Sequence, residues 1–393
     1  MLTRRGLLLA SGWLAAGGRA GRMLAGTPQD EVLAALPDKR PLIQRAFRPP
    51  NFETPLAQLA ASFTPNDAFF VRYHLPVIPQ IDPQQWRLNL GGPSAQRPLT
   101  LSLRELRSGF EQVSLAAVNQ CSGNRRGLFS PRVPGVQWGN GAMGNALWRG
   151  VRLRELLLRA GVGADALEVV LSGADGPVLP QTPAFVKSLP LERALDENTL
   201  VAFEMNGRPL PHWNGAPARL IVPGWTGTYW MKHLTDIRIV PKAFDGFWMK
   251  SAYRLPTGAF PGVRFASQET PETTPITEIL VNSLIIAPLP GTRIRRGAHA
   301  ELIGKAWDSG AGIETVEVSV DGRRSWSAAT LQQDLGRFAW REFRAPIDTS
   351  KPGPLEIAAR ARSRGGAQQP EKLTVNPAGY HDNIVQTVSV EIT

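Results

Sequence analysis

The sequence contains one cysteine, Cys121, in the segment VNQCSGNRRG. A lone cysteine is most often a small buried residue. Two neighbours set this one apart. Ser-Gly-Asn follows it, a turn-forming run rather than a core strand. Arg125 and Arg126 stand four and five residues on, and their positive field favours the thiolate. A thiolate so placed is a nucleophile or a soft metal ligand. A nucleophile would want a histidine base, and no pattern supplies one. A second cluster is FFVRYHLP, residues 69–76. Arg72 and His74 would share a face of a strand. A guanidinium fork beside an imidazole suits an oxyanion, against the simpler reading of a surface arginine and a structural histidine. A third cluster is PARLIVPGWTGTYWMKHL, residues 217–234, where Arg219 and Lys232 bracket a Gly-containing turn at 224–227. Turn N–H groups and two cations can hold a phosphate, while LIVPG alone reads as a core strand.

These clusters need a scaffold rich in turns and short strands. The 393 residues suffice for about two or three domains. Gly 38 and Pro 34 favour turns over long helices, and 42% hydrophobic residues supply real cores. One cysteine excludes a disulfide framework, a four-Cys zinc site, an iron–sulfur cluster and a CxxCH haem attachment within these residues. Residues 27 to about 60 read as an irregular, extended Pro-rich arm. In VRLRELLLRAG, Leu153, Leu156, Leu157 and Ala160 recur at helical spacing before Gly161, which predicts a helix with a glycine C-cap. Residues 267–275, SQETPETTP, read as a linker. Beyond them the period becomes two. Val316, Val318 and Val320 run into Asp321-Gly322, a hairpin signal. Leu355, Ile357, Ala359 and Ala361, then Val388, Val390 and Ile392, alternate in the same way. That pattern predicts an immunoglobulin-like β-sandwich of about 120 residues.

The first residues read as an address. TRRGLLLASGWLAAGG, residues 3–18, has a basic start, a short apolar run and a small-residue end, the signal-peptide pattern. Arg4 and Arg5 make a twin-arginine signal, which exports proteins already folded; an ordinary signal with adjacent arginines is the competing reading. The formal charge is +11, and +7 without the four arginines of residues 1–26. A basic surface can steer an anionic substrate or an acidic partner. Without a dense Lys/Arg run or a recognisable motif, nucleic acid is not expected. No other stretch approaches 18 apolar residues, so no membrane anchor is expected in the mature form.

Taken together, RYHLP (72–76), CSGNRRG (121–127), GVQW (135–138), EMNGRPLP (204–211), PARLIVPG (217–224), MKHL (231–234), GKAWDSGAGIETVEVSVDGRRSW (304–326) and NPAGYHDN (376–383) resemble, in order and spacing, the sulfite oxidase family of molybdopterin enzymes. The resemblance runs from about residue 50 to 393. It implies an α+β fold: a mixed α/β molybdopterin-binding domain at 27–265, then an immunoglobulin-like dimerisation domain at 266–393, behind a signal at 1–26. It implies that Cys121 is the thiolate ligand of molybdenum in a molybdenum-molybdopterin cofactor. Arg72 and Arg126 would line the substrate pocket, Trp138 its wall, and Tyr253, 132 residues after Cys121, would hydrogen-bond substrate or the oxo group. Tyr73, His74, Leu75, Pro76 and Val77 would contact the pterin. Arg219, Trp230, Met231 and Lys232 would hold its phosphate end, with Asn214 and Glu155 at further cofactor positions.

The sequence departs from animal members at four of these places. Tyr73 replaces an Asn, Phe203 a Tyr, and Asn214 a cofactor-binding His. Ala378 stands where they have a third pocket arginine, a loss for which His381 is a candidate to compensate. The activity implied is oxo transfer from the metal to sulfite, giving sulfate, with one-electron transfers to an external periplasmic c-type cytochrome. The protein would be a homodimer or a heterodimer with a cytochrome subunit. Within the family, a dehydrogenase of protein-bound sulfur in a thiosulfate-oxidising complex shares the pocket motifs. A sulfoxide reductase would ordinarily lack the sandwich, and a nitrate reductase would carry haem and flavin domains. A secreted immunoglobulin-like binding protein would explain the signal and the tail, but not Cys121 with its arginines.

Overall fold

The computed structural model describes residues 31–268 and 270–393. The Arg4–Arg5 segment, expected to be an export signal, lies outside the described residues. The chain is mostly β-sheet with few helices, in two sheet-based halves.

The first half holds two five-stranded sheets. One runs in the order Val186–Pro190, Glu168–Gly173, Leu234–Val240, Arg87–Gly91, Leu99–Ser102, with Leu234–Val240 and Arg87–Gly91 parallel and the rest antiparallel. The other is antiparallel: Arg208–Pro209, Leu200–Met205, Met143–Arg152 and Gln112–Gln120, with Arg219–Ile221 also on Leu200–Met205. The helix Leu153–Ala160 forms as its spacing predicts. Leu153, Leu156, Leu157 and Ala160 are all buried, and Gly161 ends it at φ +73°, a conformation glycine adopts without strain. A shorter helix, Leu103–Ser108, starts on a reciprocal cap between Ser102 and Glu105.

The long hairpin of Gln112–Gln120 with Met143–Arg152 delivers the cysteine. Cys121 is the first residue past the strand, and its N–H still donates to the Ala142 carbonyl at 2.9 Å. The excursion 121–142 is tied across itself by Arg125 N–H to Gly139 O, Gly127 N–H to Trp138 O, and Ala142 N–H to Asn124 Oδ1.

The N-terminal segment is not the irregular arm its prolines predict. Leu42–Ala46, Asn51–Glu53 and Val71–Arg72 join one antiparallel sheet, with Leu42 and Phe52 buried. Glu53 is buried and accepts from Gly139 N–H at 2.8 Å and Gly141 N–H at 2.7 Å, with Arg45 Nε at 2.6 Å. It therefore holds the returning end of the cysteine loop. The segment 267–275 is also less of a linker than its composition predicts: Thr273–Pro275 pairs with Arg254–Pro256.

The second half is the β-sandwich. One sheet runs Asn282–Ala287, Glu301–Trp307, Arg341–Pro346, Thr330–Leu331; the other runs Arg293–Ile294, Gln386–Ile392, Gly353–Ser363, Ile313–Ser319, Ser327–Ala328. The alternating residues Ile357, Ala359, Ala361, Val388, Val390, Val316 and Val318 form its core. Asp321 organises the predicted hairpin turn by accepting from Ser325 and Arg324 N–H and from Ser319 Oγ. The halves share a core. Leu59, Val118 and Met143 pack with Leu284, Ile286, Trp307 and Trp340. Trp307 Nε1 donates to Gln120 Oε1 at 2.7 Å, next to the cysteine.

Candidate active site

Cys121 opens onto a pocket that it shares with Arg72, His74, Asn119, Ser122, Phe185, Trp213, Asn214, Arg219, Thr228, Trp230, Lys232 and Tyr253, among others. The three sequence clusters therefore converge, although Arg72 and Lys232 are 160 residues apart in the chain.

At one end stands Tyr253, held in the left-handed region at φ +59°, a conformation that a tyrosine adopts only where the surroundings impose it. Arg72 donates from Nη2 to its phenol oxygen at 3.3 Å, and His74 Nε2 contacts the same oxygen. The strand ends at Arg72, so Arg72 and His74 meet through this tyrosine rather than on a strand face. Burial raises the Tyr253 pKa, partly opposed by Arg72, so the phenol stays protonated. Burial, then Arg72, Lys232 and Lys187, drives His74 well below its usual range. Its imidazole is neutral, with its ring stacked on Phe185 at 3.6 Å.

Two further cations, Arg219 and Lys232, line the same pocket. Arg219 donates to Asn214 O at 2.9 Å and Trp230 O at 3.1 Å. Lys232 donates to Arg72 O at 2.7 Å. Burial lowers Arg219 to about 9 and Lys232 to about 7. Desolvated cations of this kind are stabilised by a bound anion. Asn214 lines the cavity, but its side chain is engaged: Oδ1 accepts from Lys39 at 2.7 Å, and Nδ2 donates to Phe70 O at 3.2 Å. Lys39, itself buried and lowered to about 7 by that burial, comes from the N-terminal segment and also donates to Asn66 O and Phe69 O.

Several sequence-predicted residues support the cavity rather than line it. Tyr73 turns away and donates to His233 Nε2 at 2.7 Å, since His233 Nδ1 carries its proton toward Ala216 O. Leu75 is core, and Met231 is buried with its carbonyl taken by Leu220 N–H. Pro76 is half-buried, and Val77 is exposed with its backbone paired to Gly176. Trp138 is fully buried in the core that also holds Cys121, but does not line the cavity. Arg126 also stands outside the lining. Its Nε donates to Ala378 O at 2.7 Å, and its guanidinium lies over the Tyr380 ring. Glu155 is not brought to the site. The helix Leu153–Ala160 turns its apolar face inward and leaves Glu155 half exposed beside Arg154. Phe203, at the tyrosine-to-phenylalanine departure, is buried under the Arg107 guanidinium.

His381 does not replace the missing arginine. Its N–H donates to Ser122 O, its ring packs near Phe260, and burial lowers it from the usual 6.5 to about 4. At neutral pH it is uncharged. Between pH 6.5 and 4 the unfolded chain takes up a proton there that the folded chain refuses, so stability falls as pH drops through that window. His381→Gln should remove on the order of 3 kcal/mol of that acid sensitivity. Urea midpoints measured from neutral pH down to about pH 4 check this; a variant profile parallel to the parent's would rule the assignment out.

Asn119, Ser122 and Thr228 are site residues that residue-type reasoning passed over, although each lies within a quoted motif. Buried polar atoms without a hydrogen-bond partner among the described residues cluster here: His74 Nδ1, Asn119 Oδ1, Ser122 Oγ, Thr228 Oγ1 and Arg219 Nε. Such concentration is rare in a folded interior. A ligand rich in donors and acceptors, with an anionic end, would satisfy these atoms and the two cations, while the Cys121 thiol offers a soft ligand to a metal. Gly227 leaves the room, since a Cβ there would meet Asn119 Oδ1 at 2.4 Å. The residues fit a molybdopterin.

A buried thiol in a pocket lined by desolvated cations and unpartnered polar atoms, coupled to a β-sandwich, is what a molybdopterin-dependent oxidoreductase requires. Comparison with known proteins agrees. The "Oxidoreductase molybdopterin binding domain" family model matches residues 74–248, and the "Mo-co oxidoreductase dimerisation domain" model matches 273–393. Sulfite oxidase of Gallus gallus is 36% identical over 83% of this chain and 72% of its own length. The mitochondrial sulfite oxidase of Homo sapiens is 34% identical over 83% of this chain and 61% of its own length. The Drosophila melanogaster enzyme is 34% identical over 91% of this chain, which spans 64% of it. Among solved structures, the sulfane dehydrogenase SoxCD from Paracoccus pantotrophus superposes with a TM-score of 0.76 at 25% identity, covering 94% of this chain and 92% of that one. The chain belongs to the sulfite oxidase family of molybdopterin-dependent oxidoreductases, with the family's cofactor-binding and dimerisation domains.

Proposed function

We propose that this chain is the catalytic subunit of a periplasmic sulfite dehydrogenase that oxidises sulfite to sulfate and passes electrons to a c-type cytochrome. One observation carries the reading: Arg72 and Tyr253 meet in the same buried cavity as the Cys121 thiol. Cys121, Asn119, Ser122, Thr228, Arg219 and Lys232 would hold the molybdopterin, which supplies oxo transfer and two-electron redox chemistry when bound. The chain's own residues do the rest. Arg72 offsets oxyanion charge in a site of low dielectric, where a fixed cation is most effective. Neutral His74 in its Nε2–H form, with Arg72, would donate to the Tyr253 oxygen, so the phenol hydrogen can point at substrate. The sandwich, through Trp307 and the segment 376–384, holds the cysteine loop rigid. The twin-arginine segment supports export of a cofactor-loaded fold, and the formal charge of +7 that remains without the four arginines of residues 1–26 supports an acidic electron-acceptor face.

A second reading, oxidation of carrier-bound sulfur, draws support from the likeness to the sulfane dehydrogenase SoxCD. The test uses protein from a host that makes the molybdenum cofactor. Sulfite should reduce a c-type cytochrome at a rate that saturates. Reduction only with a sulfur-loaded carrier, by protein of full molybdenum content, would replace the first reading with the second.

A further inference from the structure

The segment 376–384 of the sandwich half reaches back over the cysteine loop. His381 N–H donates to Ser122 O at 3.3 Å. Arg125 donates to Ile384 O at 2.8 Å and lies 3.6 Å from the buried Asp382 carboxylate. Arg126 donates to Ala378 O at 2.7 Å. Within this grip one side chain does more than hold backbone. The Tyr380 ring has the Arg126 guanidinium 4.9 Å from its centroid and the Tyr253 ring at 5.6 Å, inclined by 26°. Cation, ring and ring thus form a continuous stack that ends on the phenol facing Arg72.

The position of Tyr380 is set with care. Buried Asn376 brackets its backbone, accepting from Tyr380 N–H at 3.0 Å and donating to Tyr380 O at 2.8 Å. Gly379, at φ +62°, lies flat on the arginine; a Cβ there would meet Arg126 Cγ at 2.8 Å and Val133 Cγ2 at 2.5 Å. The phenol makes no hydrogen bond to a described residue, so the contacts that the ring makes are face contacts. Such contacts orient a guanidinium without consuming its N–H donors.

We propose that Tyr380 is a positioning residue for substrate binding: its ring, with the Arg126 guanidinium against it, braces the cavity-lining Tyr253 that faces Arg72. The inference rests on the sulfite reading above for its substrate. It concerns the ring, not the hydroxyl, and that makes it testable. In the molybdenum-loaded protein, Tyr380→Phe should keep KM for sulfite and the affinity for sulfate, measured by calorimetry, within about twofold of the parent. Tyr380→Leu fills the space without a π face. It should raise KM and weaken sulfate binding by about ten- to thirtyfold, with kcat little changed. Tyr380→Ala should do the same, and the leucine variant guards against a failure to fold.

Three results would overturn the proposal. One is a leucine variant indistinguishable from the phenylalanine variant. Another is a phenylalanine variant as impaired as leucine, which would assign the role to the hydroxyl. The third is a loss confined to kcat. Sulfate affinity is read whether or not sulfite is oxidised. A parent that binds sulfate in a Tyr380-dependent way but does not turn over sulfite defeats only the proposed function. A parent that does neither defeats both.

Discussion

Cys121→Ser should fold, and should show no sulfite-dependent turnover. The backbone at this position is held independently of the side chain, by Cys121 N–H to Ala142 O and by Asn124 N–H to Cys121 O, both 2.9 Å. Serine is nearly isosteric and Cys121 is almost fully buried, so packing changes little. The chemistry changes entirely. A thiolate is a soft, strongly donating ligand; an alcohol near neutral pH is a hard and largely protonated one. Elemental analysis for molybdenum, thermal denaturation and cytochrome reduction on the same preparation separate the possibilities. The expected pattern is a near-parental melting temperature and no turnover, whether or not some molybdenum is retained through Arg219, Lys232 and the polar groups around Asn119. Retained turnover would remove Cys121 from the metal.

The cysteine, its arginines and the two pocket cations Arg219 and Lys232 are legible in the sequence because each is chemically unusual where it stands. The helix Leu153–Ala160 and the sandwich strands were legible because their apolar residues keep a strict period. What was hidden depends on long-range packing. Nothing local marks Lys39 as a buried partner of Asn214, 175 residues away. Nor does Glu53 announce that it will take two N–H groups of the cysteine loop. The N-terminal segment reads as irregular because its strands are short and interrupted by proline, and only their partners make them strands. Glu155 misled in the opposite sense: it sits beside a strong helical pattern, and that pattern turns it toward solvent. The lost arginine at Ala378 was visible, but not its surroundings. The charge one expects at His381 is suppressed by burial, and the aromatic face that braces Tyr253 lies two residues from the departure, on Tyr380.

Arg72→Met should lower kcat/KM for sulfite by about 10²–10³, the usual consequence of deleting one preorganised charge donor from a water-poor site. Arg72 earns that weight by its connections. Burial works against its charge, but the facing Tyr253 and Cys121 groups more than offset this, and its pKa is raised above the usual arginine value. It is therefore a permanent cation across the working pH range. Its Nη1 is anchored on Tyr73 O and also faces Asn51 Oδ1, and its Nη2 meets Tyr253. Methionine keeps the stem's packing and removes all of this. Tyr253→Phe should cost less, because Arg72 remains to face the anion. Because the two side chains touch, the double variant should lose less than the sum of the single losses expressed as free energies. Parental molybdenum content in Arg72→Met makes the kinetic loss a statement about substrate. A fully loaded Arg72→Met enzyme with kcat/KM within about threefold of the parent would remove the anion-binding role from Arg72.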